Sequence, residues 1–165
     1  MTTLELEQIR EVTPSVRRDV STTASRSTVT VEHVRTRRQR QEFVDFPWQI
    51  YEGDANWCPP LKIEAHAAIN HKKHPFYKHG VAVQYLARRE GKVVGRISVS
   101  DDPNYNAEHN ANVGSFGMFE TIDDPQVARS LLNAAARWLR ARGRTSIIGP
   151  IDYSTNHPSG LLVEG

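Results

Sequence analysis

The sequence predicts a mixed α/β (α+β) fold, a mainly antiparallel sheet flanked by helices, and two stretches carry that prediction. The first is a hairpin. Val81 to Arg88 alternates, with Val81, Val83, Tyr85 and Ala87 on one face and Ala82, Gln84, Leu86 and Arg88 on the other. Arg89-Glu90-Gly91-Lys92 supplies a turn with a glycine for the awkward backbone position. Val93, Gly95, Ile97 and Val99 then resume the period of two that marks a half-buried strand. The second stretch is a strand–helix–strand crossover over Asn112–Thr121, a long helix and Thr145–Gly149. In the helix Val127, Ala128, Leu131, Leu132, Ala135, Trp138 and Leu139 recur at helical spacing as one apolar stripe. Asp124 suits the N-cap, Pro125 the first helical position and Gly143 the C-terminal stop. Arg137, Arg140 and Arg142 lie where the helix dipole favours positive charge.

The remaining elements follow in chain order. Met1 to Ser27 is polar and nearly free of large apolar residues, which predicts a mobile, disordered tail ahead of a domain over 28–165. Thr28–Val34 alternates and reads as the first strand. Arg35–Tyr51 reads as a helix through Phe43, Val44, Trp48 and Tyr51, with Pro47 expected to end or kink it. The arginines at 35, 37, 38 and 40 read as a solvated helix start, because no nucleic-acid motif accompanies them.

Gly53–Gly80 reads as irregular, aromatic and rich in histidine. His71 and His74, with His66 or His79 as a third, are the candidate metal ligands. Cys58 is the only thiol, and Lys72 and Lys73 add charge that repels a cation, so no metal is expected. Pro75-Phe76-Tyr77 is expected to pack a loop against the sheet, and Asp101–Ala111 to form an exposed connection. Gly114 and Gly117 weaken Asn112–Thr121 as a strand, which predicts close backbone approach or a bulge. A bulged strand that parts from its neighbour frees backbone groups for a ligand. Asp152, Ser154, Thr155, Asn156 and Ser159 follow the last strand as a polar turn.

Composition narrows the function classes. The chain has 165 residues, 38% hydrophobic and 24% charged, enough for one domain with a real core. A formal charge of +2 is too small to demand nucleic acid or a membrane surface as partner. One cysteine excludes an intramolecular disulfide and suits a reducing compartment. Neither a signal-like apolar run nor a stretch able to span a bilayer is present, so a cytoplasmic location is expected.

The order strand, helix, hairpin, strand, long helix, strand resembles the front two-thirds of the GNAT N-acyltransferase fold. Six segments are similar to an uncharacterised bacterial branch of that superfamily: Phe46–Leu61, His74–His79, Glu90–Ser98, Gly114–Glu120, Asp123–Gly143 and Gly149–Asn156. The resemblance runs from about residue 30 onward. Members of that branch are longer, so the chain reads as an N-terminal piece, truncated before the C-terminal strands.

The resemblance implies an acyl-CoA co-substrate, acetyl-CoA or another, lying in the gap beside the bulged strand, and a small-molecule amine as acceptor. It implies Glu120 as the catalytic base and backbone near Met118 and Phe119 as the polariser of the thioester carbonyl. The CoA contacts it implies are Gln126, Val127, Ala128 and Arg129 at the helix start, and Asn156 beyond the next strand. The superfamily's phosphate-binding pattern is nevertheless matched here only by Ala128. Asp123 stands at its basic position, Gln126 at its first glycine, and Asp124 is a competing cap. One like-charge contact at about 4 Å costs on the order of 4 kcal/mol at an effective dielectric near 20. A GNAT-fold binding or interaction module without catalysis is therefore the alternative. An RNA-binding αβ domain would need an aromatic strand motif that is missing. Missing C-terminal strands would leave apolar surface for self-association or for pairing with the rest of a longer chain.

Overall fold

The computed structural model describes residues 2–6, 27–154 and 157–160. Six strands form one sheet in the order β1-β6-β5-β4-β3-β2. They are β1 (Thr2–Glu5), β2 (Thr30–His33), β3 (Val81–Arg89), β4 (Lys92–Asp101), β5 (Val113–Thr121) and β6 (Ser146–Gly149). Every neighbouring pair is antiparallel except β5–β6. The helices are α1 (Arg37–Ile50), α2 (Lys62–Ala68), α3 (Pro103–Glu108) and α4 (Pro125–Arg140), with a 3-10 turn at Pro75–Lys78. The mixed, mainly antiparallel sheet flanked by helices is the class that the hairpin and the crossover predict.

The parallel β5–β6 pair needs a long crossover, and α4 supplies it. Asp124 caps α4 by accepting from the Gln126 N–H at 2.8 Å, with Pro125 next in line. Its buried residues Val127, Leu131, Ala135, Ala136 and Leu139 meet Ala87, Val94, Ile97, Val99 and Phe116 of the sheet. Gly114 lets the helix sit this close: a Cβ there would lie 2.1 Å from a Leu139 methyl. The opposite face of the sheet is covered by α1, whose Phe43 and Val44 pack with Val34, Leu86 and Ile69.

Four expectations need correction. The tail contains a strand: β1 pairs Thr2–Glu5 against Gly149–Ser146, and Leu6, only 1% exposed, joins the core beneath α4. Its N–H donates to the Thr145 carbonyl at 2.8 Å, and the Arg140 guanidinium donates to the Leu6 carbonyl. One buried leucine and a free sheet edge suffice, where a periodic apolar pattern was sought. The rest of that stretch, 7–26, lies outside the described residues.

Pro47 does not end α1, which runs on to Ile50. The carbonyl that a proline N–H would have bonded, that of Phe43, is satisfied instead by Arg96 Nη1 at 2.8 Å. Gly53–Gly80 contains α2, which carries good helix formers but buries no side chain, and so shows no apolar stripe. Asp101–Ala111 holds α3, capped by Asp102. Asn106 of α3 is 7% exposed and clamps Val113, accepting from its N–H and donating to its carbonyl, each at 2.8 Å. Phe76 is buried against Ala82 and Tyr153, as expected of Pro75-Phe76-Tyr77. Among the described residues no helix is long and apolar enough to cross a membrane.

Candidate active site

The two central strands part at one place. Arg96 of β4 pairs with Glu120 of β5 and Ser98 pairs with Gly117, so Met118 and Phe119 together oppose Ile97. This is a β-bulge, and Met118 takes a left-handed φ of 43° to make it. On the other side of β5, the parallel pairing with β6 stops at Ser115–Ile148. The segment after β6 then turns into the gap. The Ile151 N–H donates to the Phe116 carbonyl, and Asp152 Oδ1 accepts from the Met118 N–H, each at 2.7 Å. Gly117 is required here, because a Cβ would lie 2.2 Å from Asp152 Oδ1 and 2.4 Å from the Ile151 carbonyl oxygen.

The side chains at this notch are polar and paired. Arg96, 9% exposed, sets its fork on Glu120, with Nε to Oε2 at 2.6 Å and Nη2 to Oε1 at 3.1 Å. Its guanidinium also stacks on the Phe43 ring, 4.9 Å from the centroid. Burial pushes the Asp152 carboxyl above the usual range, and the Glu120 charge adds to that. The Met118 hydrogen bond and Arg96 oppose it. The Tyr51 hydroxyl is pushed up by burial and then by Glu120. Trp57 packs between Tyr51 and Trp48, with centroids at 5.2 and 5.5 Å. A carboxylate held by a cation, a buried carboxyl and a backbone amide therefore meet within one notch. These are the parts needed to move a proton and polarise a carbonyl.

A second network runs behind the notch. Tyr153, at a φ of 64°, donates from its hydroxyl to the Ala68 carbonyl at 2.9 Å and meets the Tyr77 hydroxyl at 3.2 Å. Gln84 Nε2 donates to Tyr77 at 3.3 Å, and Gln84 Oε1 lies 3.4 Å from His71 Nε2. Burial and the neighbouring Tyr77 push the Tyr153 hydroxyl well up, so it serves as a donor rather than an anion.

The structure brings Glu120, Met118 and Phe119 together at the bulge. Phe119 turns to the α4 side, edge-on to Phe116 at 5.7 Å. Gln126, Val127, Ala128 and Arg129 form the first turn of α4, but its amides are engaged. The Gln126 N–H is held by the Asp124 carboxylate, and those of Val127 and Ala128 lie 3.0 and 3.3 Å from the Asp124 carbonyl. Arg89 closes over the cap, 2.7 Å from Asp124 Oδ2. A pyrophosphate therefore does not fit this helix start by the usual amide contacts; only the exposed Arg129 reaches outward. Asn156 lies outside the described residues. Among the described residues, no group of three His, Cys, Asp or Glu could hold a metal ion. Sequence reasoning missed Arg96 and Asp152. Arg96 falls out of phase with Val93, Gly95, Ile97 and Val99, so nothing in the sequence sets it apart from an exposed arginine.

A bulged central strand, a parallel neighbour and the intervening helix define the GNAT N-acyltransferase architecture, and comparison with solved structures gives the same answer. A tandem GNAT protein from the clavulanic acid biosynthesis pathway matches with a TM-score of 0.58 and 13% identity, over 82% of this chain and 41% of that one. The chain has the GNAT fold. In sequence it is similar to Protein YghO of Escherichia coli (strain K12), 39% identical over 123 residues, which is 74% of this chain and 31% of that protein. It is also similar to the Bacterial ceramide synthase of Caulobacter vibrioides (strain NA1000 / CB15N), 40% identical over 133 residues, 80% of this chain and 35% of that protein. The chain thus spans about a third of the length of these curated relatives. No family model matches it.

Proposed function

We propose that the domain takes part in N-acyl transfer, moving an acyl group from acyl-CoA to an amine. The observation that carries this reading is the Met118–Phe119 bulge, which places a backbone amide beside two carboxyl groups in different environments. One sequence relative is named for making a ceramide, which is an amide. A long-chain amino alcohol is accordingly the acceptor class to try first, with a long-chain acyl-CoA as donor. The cysteine usage suits a reducing, cytoplasmic setting.

Each residue then has a task. Glu120, oriented by Arg96, accepts a proton from the amine as its nitrogen bonds to the thioester carbonyl carbon. The carbonyl oxygen gains the electron pair and is met by the bulge amide once Asp152 releases it. Reformation of the carbonyl breaks the carbon–sulfur bond, and the thiolate takes the proton of the Asp152 carboxyl. Two carboxyl groups in contrasting surroundings suit opposite roles in one turnover.

The test is calorimetric titration of the chain with acetyl-CoA and palmitoyl-CoA, followed by thiol release in the presence of an amine. Binding that Arg129→Glu weakens is expected, with Glu120→Gln lowering turnover by about a hundredfold. A folded chain that binds neither thioester overturns the reading. The Asp124 cap favours the alternative, a GNAT-fold binding module. Absence of acyl-CoA binding at intact stability would establish that alternative.

A further inference from the structure

A sizeable cleft lies away from the notch. It has a volume of ≈ 750 Å³ and opens between the start of α1, the end of β2 and the segment after α2. Arg35, Arg37, Arg40 and Lys72 line it. His33, His66 and His71 stand among them, and Gln84, only 3% exposed, forms part of the wall. Among the described residues no acidic side chain lines the cleft. The whole chain balances 21 Lys and Arg against 19 Asp and Glu, so the excess of positive charge here is local. Among the described residues none of the four cations has an acidic partner, although eight Lys or Arg pairs with carboxylates form elsewhere.

Like charges gathered in a concave wall repel one another, and the low-dielectric sides focus their field. Such an arrangement is relieved by an anion that several donors can reach together. Three guanidinium groups and an ammonium suit phosphate oxygens, which accept paired, charge-assisted bonds. A cleft of this size takes a nucleotide-sized ligand, whereas a membrane surface or a nucleic-acid backbone asks for a flat or extended basic face.

We infer that this cleft is a binding site for a diffusible small molecule carrying a phosphate or diphosphate group. It is separate from the acyl-transfer reading and stands without it. The cleft lies on the α1 side of the sheet, with Gln84 as a common wall to the Tyr77–Tyr153 network. Occupancy has a reporter built in. Arg35 Nε donates to His33 Nδ1 at 3.2 Å, and burial, Arg35 and His71 lower the His33 pKa. A bound anion would offset that field and move the His33 titration upward.

The test is calorimetric titration with inorganic pyrophosphate at low salt, using the whole chain and its Arg37→Ala/Lys72→Ala variant. Neither residue belongs to the notch, and both side chains are exposed, so the variant is expected to fold as the parent does. Binding that falls roughly tenfold or more in the variant, and that weakens with added salt, is expected. In parallel, His33 followed by NMR should titrate higher with pyrophosphate present. Absence of pyrophosphate binding, or binding untouched by the double substitution, overturns the proposal. So does binding seen only with phosphatidylglycerol vesicles, because the ligand would then be a lipid surface. Loss of acyl-CoA binding alone leaves it intact.

Discussion

The two faces of the central sheet are built on opposite plans. Beneath α4, Ile97, Val99, Val127, Leu131 and Leu139 are fully buried and wholly apolar. Beneath α1 and α2, the same strands present Gln84, Arg96, Ser98 and Ser100, each at most 9% exposed and each hydrogen-bonded. Burying a polar group without a partner costs several kcal/mol, so the second face is kept only if every member is satisfied. The α1 side keeps an apolar core of its own, with Phe43, Val44 and Leu86 fully buried, and sets these polar groups beside it. The α4 side holds the sheet together, while the α1 side positions charge at the bulge.

Substitutions should separate these roles. Leu131→Ala removes a fully buried side chain from the α4 face and should cost about 2–5 kcal/mol in urea unfolding. Ligand binding by the folded fraction should be unchanged. Arg96→Ala on the other face should cost about 3 kcal/mol, because it strands Glu120 and the Phe43 carbonyl together. The double variant Arg96→Met/Glu120→Leu should recover most of that loss while abolishing any acyl transfer. Failure to recover would mean that the polar face is also a stability element.

The smallest effect concerns Asp152. Its folded-state pKa is raised, so the stability it contributes is present below the unfolded carboxylate range and is lost as pH rises through the folded value. Asp152→Asn keeps an acceptor for the Met118 N–H without the charge. It should therefore be more stable than the parent at neutral pH, with the gap closing on acidification. An unfolding comparison at pH 7 and pH 4 checks the sign.

Legibility followed the same division. The α4 face was readable because apolar burial leaves a period: 3.6 along Val127–Leu139 and two along Val81–Val99. The glycines of β5 were readable as points of close approach, and both are, Gly114 beneath Leu139 and Gly117 against Ile151–Asp152. The bulge itself falls one residue later, at Met118, where no residue type announces it. The polar face was opaque, because a buried arginine and an exposed one look alike until the partner is known. Arg96 has partners from α1 and β5, distant in sequence on both sides. α2 and α3 were missed because they bury almost nothing, or only an asparagine. The Asp124 cap was read correctly.

Pro47 has a mechanical consequence. A helix whose carbonyls are all bonded internally can slide past a sheet by repacking side chains alone. At Phe43 the main chain of α1 is fastened to β4 through Arg96, and through Arg96 to β5. Axial travel of α1 has to break that fastening, whereas tilting about it does not. The fold thus favours a hinge over a shear for any movement of α1 over the sheet, with its pivot beside the bulge.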